Sequence, residues 1–238
     1  MVLSYWIIFF IITLGVTLSI QKKKLTIPAA ITGGIAALII YAGTGTTGIV
    51  LLASFFMMGV TATSHKWKIK RSSGLTDNDK GERTTGQVLA NSGCAVIISL
   101  LMLGRLIEPH KGLLMVSGSF ASAAADTVSS EMGNIYGRRF YNIVSLKKAV
   151  RGTNGAISVE GTLAGVTASL LIALFYLLTT GWLPAHLLII IAAGTFGNIV
   201  DSILGATLES KGMLGNNAVN FINTCAGAIA ALLLSYLL

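Results

Sequence analysis

The sequence predicts an all-α, polytopic transmembrane helical bundle of about eight spans, on three grounds: its composition, the length of its charge-free runs and the distribution of its basic residues. Hydrophobic residues make up 53% of the 238-residue chain and charged residues 11%, with a mean hydropathy of +0.77. A soluble surface would carry roughly 25–35% Lys, Arg, Glu and Asp. Lipid offers the backbone no hydrogen bonds, so spans are helices or closed barrels, and an unbroken apolar run such as 170–178 lacks the alternation of barrel strands.

Windows of about 20 residues, the length that crosses a bilayer, place spans near 3–20, 25–42, 47–64, 87–104, 113–132, 161–180, 184–207 and 217–238. The first has no basic residue before it and no small-residue cleavage site after it, so it reads as a retained anchor. The second and third are almost pure hydrocarbon apart from Ser and Thr. A loop at 65–86 follows, where bases mix with Asp77, Asp79 and Glu82 and the SSG and DNDKGE runs signal turns. The fourth span opens on Arg83, Gln87 and Asn91 at successive i+4 steps, which share one helical face.

The fifth span carries Asp126 in SFASAAADTVSSEMG, with Ser122 and Ser129 or Ser130 on the same face and alanines that permit close helix approach. Glu131 lies about 140° further round an ideal helix, so it joins Asp126 in one site only if the helix ends or unwinds near Gly133. A second loop at 133–160 ends in RGTNGAISVEGT, whose Gly152, Gly155 and Gly161 and hydroxyls on Thr153, Ser158 and Thr162 run straight into the sixth span. This stretch reads as an anion cradle at a helix N-terminus or as a simple glycine-rich re-entry turn. The sixth span carries no amide, carboxylate or hydroxyl cluster, whereas the seventh aligns Asn198, Asp201, Ser202, Gly205 and Glu209 in one stripe. The eighth opens with Asn216, Asn220 and Asn223 on one face and Asn217 beside it. With no low-complexity linker and no internal repeat, residues 1–238 form a single membrane domain.

Alternating spans put every Lys and Arg except Arg105 and Lys111 on one side. The positive-inside rule makes that side cytoplasmic and leaves both termini outside. The net charge of +8 is therefore mostly topology. Because the charges sit in loops between spans, without interleaved aromatics, nucleic acid is not an expected partner. Lys66, Lys68, Lys70 and Lys147 are secondary phosphate candidates whose simpler role is as solvated topology charges. Cys94 and Cys225 fall inside spans and read as small apolar residues.

A carboxylate at a span centre costs about 2.5–3.5 kcal/mol on insertion scales and is a functional hypothesis by default. Each polar stripe taken alone is equally explained as interhelical hydrogen-bond glue. In the topology above, however, Asn91, Asp126, Asp201 and Asn220 all lie toward the cytoplasmic ends of their helices. Carboxylates beside basic loops suit Mg²⁺ and phosphate, since Mg²⁺ favours one or two carboxylates plus phosphate oxygens and water. Phosphoryl transfer needs chiefly metal, cations and positioning. There is no GxxxxGK[ST] loop and no HExxH helix, and His65, His110 and His186 are too scattered to propose a metal cluster.

The segments RTTGQVLANSG (83–93), ADTVSSEMG (125–133), RGTNGAISVEGT (151–162), GNIVDSILGATLE (197–209) and NNAVNFINT (216–224) resemble the integral-membrane family that includes phytyl-phosphate kinase and transmembrane protein 19, long known as a domain of unknown function. At 201 related sequences carry Glu where this chain has Asp201. The resemblance implies transfer of the terminal phosphate of a nucleoside triphosphate, CTP being one candidate, to an isoprenoid monophosphate such as phytyl or geranylgeranyl phosphate. The expected catalytic residues are then Asp126, Glu131, Asp201 and Arg151, with Asp126, Glu131, Asp201 and Glu209 as Mg²⁺ ligands. Arg83, Gln87, Asn91, Ser130, Gly152, Thr153, Gly155, Ser158, Gly161, Asn217 and Asn220 would bind substrate or nucleotide. The partners implied are the lipid bilayer, the prenyl monophosphate and the nucleotide. The site would face the cytoplasm, across the plasma membrane in a prokaryote. Competing readings are a polyprenol kinase, a CDP-lipid-forming cytidylyltransferase and, in another class, a membrane transporter.

Overall fold

The structure is a computed structural model describing residues 2–75 and 81–237, with side chains described from residue 6 onward. Asp77 and Asp79 of the first polar loop lie outside the described residues. Helix accounts for 77% of the chain. In chain order the elements are α1 (Val2–Gln21), α2 (Ile27–Ser64), α3 (Trp67–Ser72), α4 (Thr85–Leu103), α5 (Pro109–Tyr136), β1 (Tyr141–Asn142), β2 (Ala156–Ile157), α6 (Val159–Thr180), α7 (Pro184–Leu204), a π-helical turn (Gly205–Glu209) and α8 (Asn216–Leu234). Among the described residues five helical segments, namely α2, α4, α6, α7 with its π turn, and α8, are long and apolar enough to cross a membrane.

Helix α2 covers both the second and third expected spans. Its continuity breaks at Gly45, whose φ of +66° and ψ of −152° lie outside the helical region and are readily adopted only by glycine. There the chain turns back on itself. Gly33 and Gly59, on opposite sides of the break, both lie near the start of α4, against Val88 and Arg83, while Gly43 touches Ser99 near its end. Lys24 Nζ donates to Ser64 Oγ at 2.8 Å, bringing the two feet of the hairpin together.

Helix α5 is the axle of the bundle, packed by α2, α4, α6, α7 and α8. Its buried face is nearly all small: Gly112, Ser117, Gly118, Ser119, Ala121, Ser122, Ala123, Ala124 and Ala125. Small residues let backbones approach closely, which is how helices associate when lipid removes the hydrophobic drive between them. A Cβ at Gly118 would strike the Gly227 carbonyl of α8, one at Gly194 would strike Ala121, and one at Gly165 would crowd the Ala125 carbonyl. Large apolar residues instead face outward, among them Leu163, Leu178, Leu188 and Phe196. That distribution suits a lipid exterior.

Two expectations about chain path are corrected. Helix α5 does not end or unwind at Gly133 but continues to Tyr136, because Gly133 is packed against Gly161 and Ser158 at the α5–α6 crossing. The departure from α-helix falls on the seventh span, where the hydrogen-bond register loosens into the π turn. π turns concentrate at functional sites. The second loop is tied by a two-residue antiparallel pairing, Tyr141 with Ile157 and Asn142 with Ala156.

Candidate active site

At the end of the bundle where α4, α6 and α8 begin and α5 and α7 finish lies an open cleft of about 430 Å³. Arg83, Gln87 and Asn91 line it from α4 and its entry; Asp126, Ser130 and Glu131 from α5; Gly152, Thr153, Gly155, Ser158 and Gly161 from the loop and α6; Asp201 and Glu209 from α7 and the π turn; and Asn220 from α8. Two expected residues stand apart. Arg151 is exposed on the turn outside the lining, and Asn217 is directed at the backbone of Gly86, leaving Asn216 to line the cleft.

The Asp126 and Asp201 carboxyls come within hydrogen-bonding reach of each other. Asp201 is held from behind: Asn223 Nδ2 donates to Asp201 Oδ1 at 2.8 Å, while Asn223 Oδ1 accepts from Ser122 Oγ at 2.7 Å. The hydroxyl donor fixes which way the Asn223 amide points, and Asn223 has no exposed surface. Two carboxylates this close repel when both are ionised. Glu209 lies within electrostatic range of both.

Glu131 has a different partner. Lys70 of α3 is fully buried and donates to Glu131 Oε2 at 2.5 Å, to the Thr63 carbonyl at 2.8 Å and to the Ala62 carbonyl at 3.0 Å. An ammonium has three protons, and all three are used. Lys70 is therefore neither a solvated topology charge nor a free phosphate ligand: it closes the last turn of α2, whose terminal carbonyls lack helical partners, and neutralises Glu131. Among the described residues no group of three or more His, Cys, Asp or Glu is gathered closely enough to hold a metal, so Asp126, Glu131, Asp201 and Glu209 are not one cage. The Asp126–Asp201 pair is the part that fits Mg²⁺, which needs only one or two carboxylates beside phosphate oxygens and water. The cleft also holds an acceptor in want of a partner. Asn91 Nδ2 donates to the Gln87 carbonyl at 2.8 Å, leaving Asn91 Oδ1 buried with none.

Arg83 enters the cleft from the turn before α4. Its guanidinium lies over the Phe55 ring, 5.6 Å from the centroid, and against Gly59, where a Cβ would collide with it. Burial pushes Arg83 below its usual value, with the negative charges of Glu131 and Asp126 acting the other way; a guanidinium remains a cation throughout. No carboxylate lies within salt-bridge distance of it among the described residues. Gln87 is partly committed, since its Oε1 accepts from Thr84 N–H at 2.9 Å in a capping box. Ser158 likewise caps α6, accepting from Gly161 N–H at 3.1 Å.

A family model described as integral membrane protein DUF92 matches residues 10–228. The chain belongs to the DUF92 integral membrane family. Protein VTE6, chloroplastic, of Arabidopsis thaliana is 34% identical over 196 residues, covering 80% of this chain and 59% of that protein. An uncharacterized membrane protein of Methanocaldococcus jannaschii is 34% identical over 186 residues, covering 78% of this chain and 75% of its own. Another from Synechocystis is 33% identical over 224 residues, covering 90% and 84%. No solved structure matches. All five sequence blocks that carry the resemblance lie within the DUF92 match.

Several cleft residues of this DUF92 chain were not singled out as site residues by the sequence. Trp67, Asn134, Asn154 and Asn198 all line it. Ser129 Oγ donates to Asn198 Oδ1 at 3.1 Å across the α5–α7 interface. Asn198 was legible as part of the seventh-span stripe. Nothing in KWKIKR distinguishes Trp67 or the buried Lys70 from their solvated neighbours.

Proposed function

We propose that the chain is a prenyl-phosphate kinase, moving the terminal phosphate of a nucleoside triphosphate, CTP being one candidate, onto an isoprenoid monophosphate such as phytyl or geranylgeranyl phosphate. In this reading the α2 hairpin supplies two spans, giving eight with α1 and α5, both termini lie outside and the cleft opens to the cytoplasm. The observation that carries the reading is convergence. A close carboxylate pair from α5 and α7 and, from α4 and its entry, Asn91 with an unsatisfied amide oxygen and Arg83 with no carboxylate in salt-bridge reach among the described residues all line one cleft at the basic end of the bundle. Membership of the DUF92 family, with its resemblance to phytyl-phosphate kinase, supports the substrate class.

Asp126 and Asp201 would hold Mg²⁺, which when bound neutralises phosphate oxygens. Asn223 fixes Asp201 for that task. Arg83 offers donors in a planar fork that matches phosphate geometry, and the 152–155 backbone with Thr153 borders the same space. Asn91, Gln87, Ser130 and Asn220 orient the nucleotide, while Arg151 and Asn217 act from the rim. Glu131, spent on Lys70, is a positioning residue. The acceptor is already an ionised phosphate, so no strong general base is needed.

The test incubates purified protein in detergent with Mg²⁺, a panel of nucleotides and both prenyl alcohols and monophosphates, identifying products by mass. A prenyl diphosphate and a nucleoside diphosphate are expected, with Asp126→Ala lowering the rate at least about a hundred-fold, as loss of a charge-stabilising group does, in a protein that still folds. Product from an alcohol would make it a polyprenol kinase, pyrophosphate release a cytidylyltransferase, and solute flux in vesicles without turnover a transporter.

A further inference from the structure

A second cavity of about 290 Å³ adjoins the cleft, lined by Lys24, Val60, Thr63, Ser64, Trp67, Gly81 and Arg83. Thr63, Trp67, Gly81 and Arg83 belong to both, so Arg83 stands in the wall between them. The two spaces differ in charge. Asp126, Glu131, Asp201, Glu209 and Glu82 line the cleft, whereas among the described residues the smaller cavity has two cations and no acid.

The backbone builds this pairing of cations. Arg83 N–H donates to the Lys24 carbonyl at 2.9 Å, and Thr26 N–H donates to the Arg83 carbonyl at 3.1 Å, so the α1–α2 junction is stitched to the entry of α4. Lys24 Nζ makes a hydrogen bond to Ser64 Oγ, and with three protons on the ammonium it has donors to spare for an anion. The cavity also has an apolar way out. Val60 lines it, and Met57 and Ala53, at helical spacing on the same side of α2, are exposed where lipid would be.

We propose that this cavity seats the acceptor: a phosphomonoester on an apolar chain, its phosphate between Lys24 and Arg83 and its tail along Val60, Met57 and Ala53. The proposal rests on the kinase reading and divides the labour of that site. The acid-lined cleft takes the metal–nucleotide, the cavity whose described lining carries no acid takes the bare lipid phosphate, and Arg83 touches both across the line of transfer.

Binding is measured separately from turnover, by isothermal titration calorimetry of the full-length protein with geranylgeranyl monophosphate in the absence of nucleotide. Lys24→Met is expected to weaken binding about ten-fold or more, the loss of one charge-assisted hydrogen bond, and Lys24→Arg to restore it. In turnover, Lys24→Met raises KM for the lipid phosphate and leaves KM for the nucleotide within about two-fold. Val60→Trp, which fills the cavity from its apolar side, weakens lipid phosphate binding without removing a charge. Inorganic phosphate competes only at much higher concentration, and geranylgeraniol does not displace the lipid phosphate. Wild-type binding in both Lys24→Met and Val60→Trp, or a KM shift falling equally on the nucleotide, would overturn the assignment while leaving the kinase reading intact. Equal potency of inorganic phosphate would overturn its lipid character. Lipid phosphate binding lost in these variants, in a protein that turns over no substrate, would keep the subsite and remove the kinase.

Discussion

Replacing Lys70 with Met tests the tie between the loop region and the helical axle. The change removes the charge that faces Glu131 and two hydrogen bonds to the closing carbonyls of α2. Breaking a fully buried ion pair from one side costs about 3–5 kcal/mol. Glu131 keeps 22% of its side chain exposed, so water recovers part of that loss and the lower end, about 3 kcal/mol, applies. For a chain of this size each kcal/mol moves Tm by roughly 2–4 °C, so Lys70→Met should melt about 6–12 °C below wild type in the same detergent. Adding Glu131→Leu removes the stranded carboxylate, and the double variant should recover about 1–2 kcal/mol relative to the additive sum. A Tm within about 1 °C of wild type for Lys70→Met, or strict additivity in the double variant, would refute the buried pair.

Two further outcomes follow from close contacts. Gly59→Ala places a methyl on the Arg83 guanidinium and should raise KM for the phosphate-bearing substrates about ten-fold, the size of a displaced charge-assisted hydrogen bond. Its Tm should change little, because a long side chain can swing aside; an unchanged KM would detach Arg83 from the site. Gly118→Leu forces α5 from the Gly227 carbonyl of α8 and should cost at least about 1–3 kcal/mol, read as a lower Tm, and a wild-type Tm would mean that the two backbones are not in contact.

What the sequence disclosed and what it hid divide along a physical line. Asn91, Asp126, Asp201 and Asn220 were visible because a polar group in a lipid-length apolar run is costly and needs a reason, and all four line the cleft. The helical fold was visible for the complementary reason, that lipid forces the backbone to satisfy itself. Lys70 was hidden because it sits among Lys66, Lys68 and Arg71, where hydropathy treats every charge as wet. Its burial depends on Glu131, 61 residues away. The course of α5 past Gly133 was hidden too, since a glycine that permits a helix crossing and one that ends a helix look the same in sequence. Arg151 stood out for its place in a glycine-rich motif, but sequence could not show that Gly152 and Gly155 beside it line the cleft while its own side chain is exposed outside the lining.

Gly155, with its φ of +74°, brings the second loop so near the π turn that a Cβ there would land on Ala206, side chain and main chain alike. The Ala206 methyl is the first atom it would meet. Any side chain at 155 would therefore push the loop off the 205–209 coil, on which Glu209 rides.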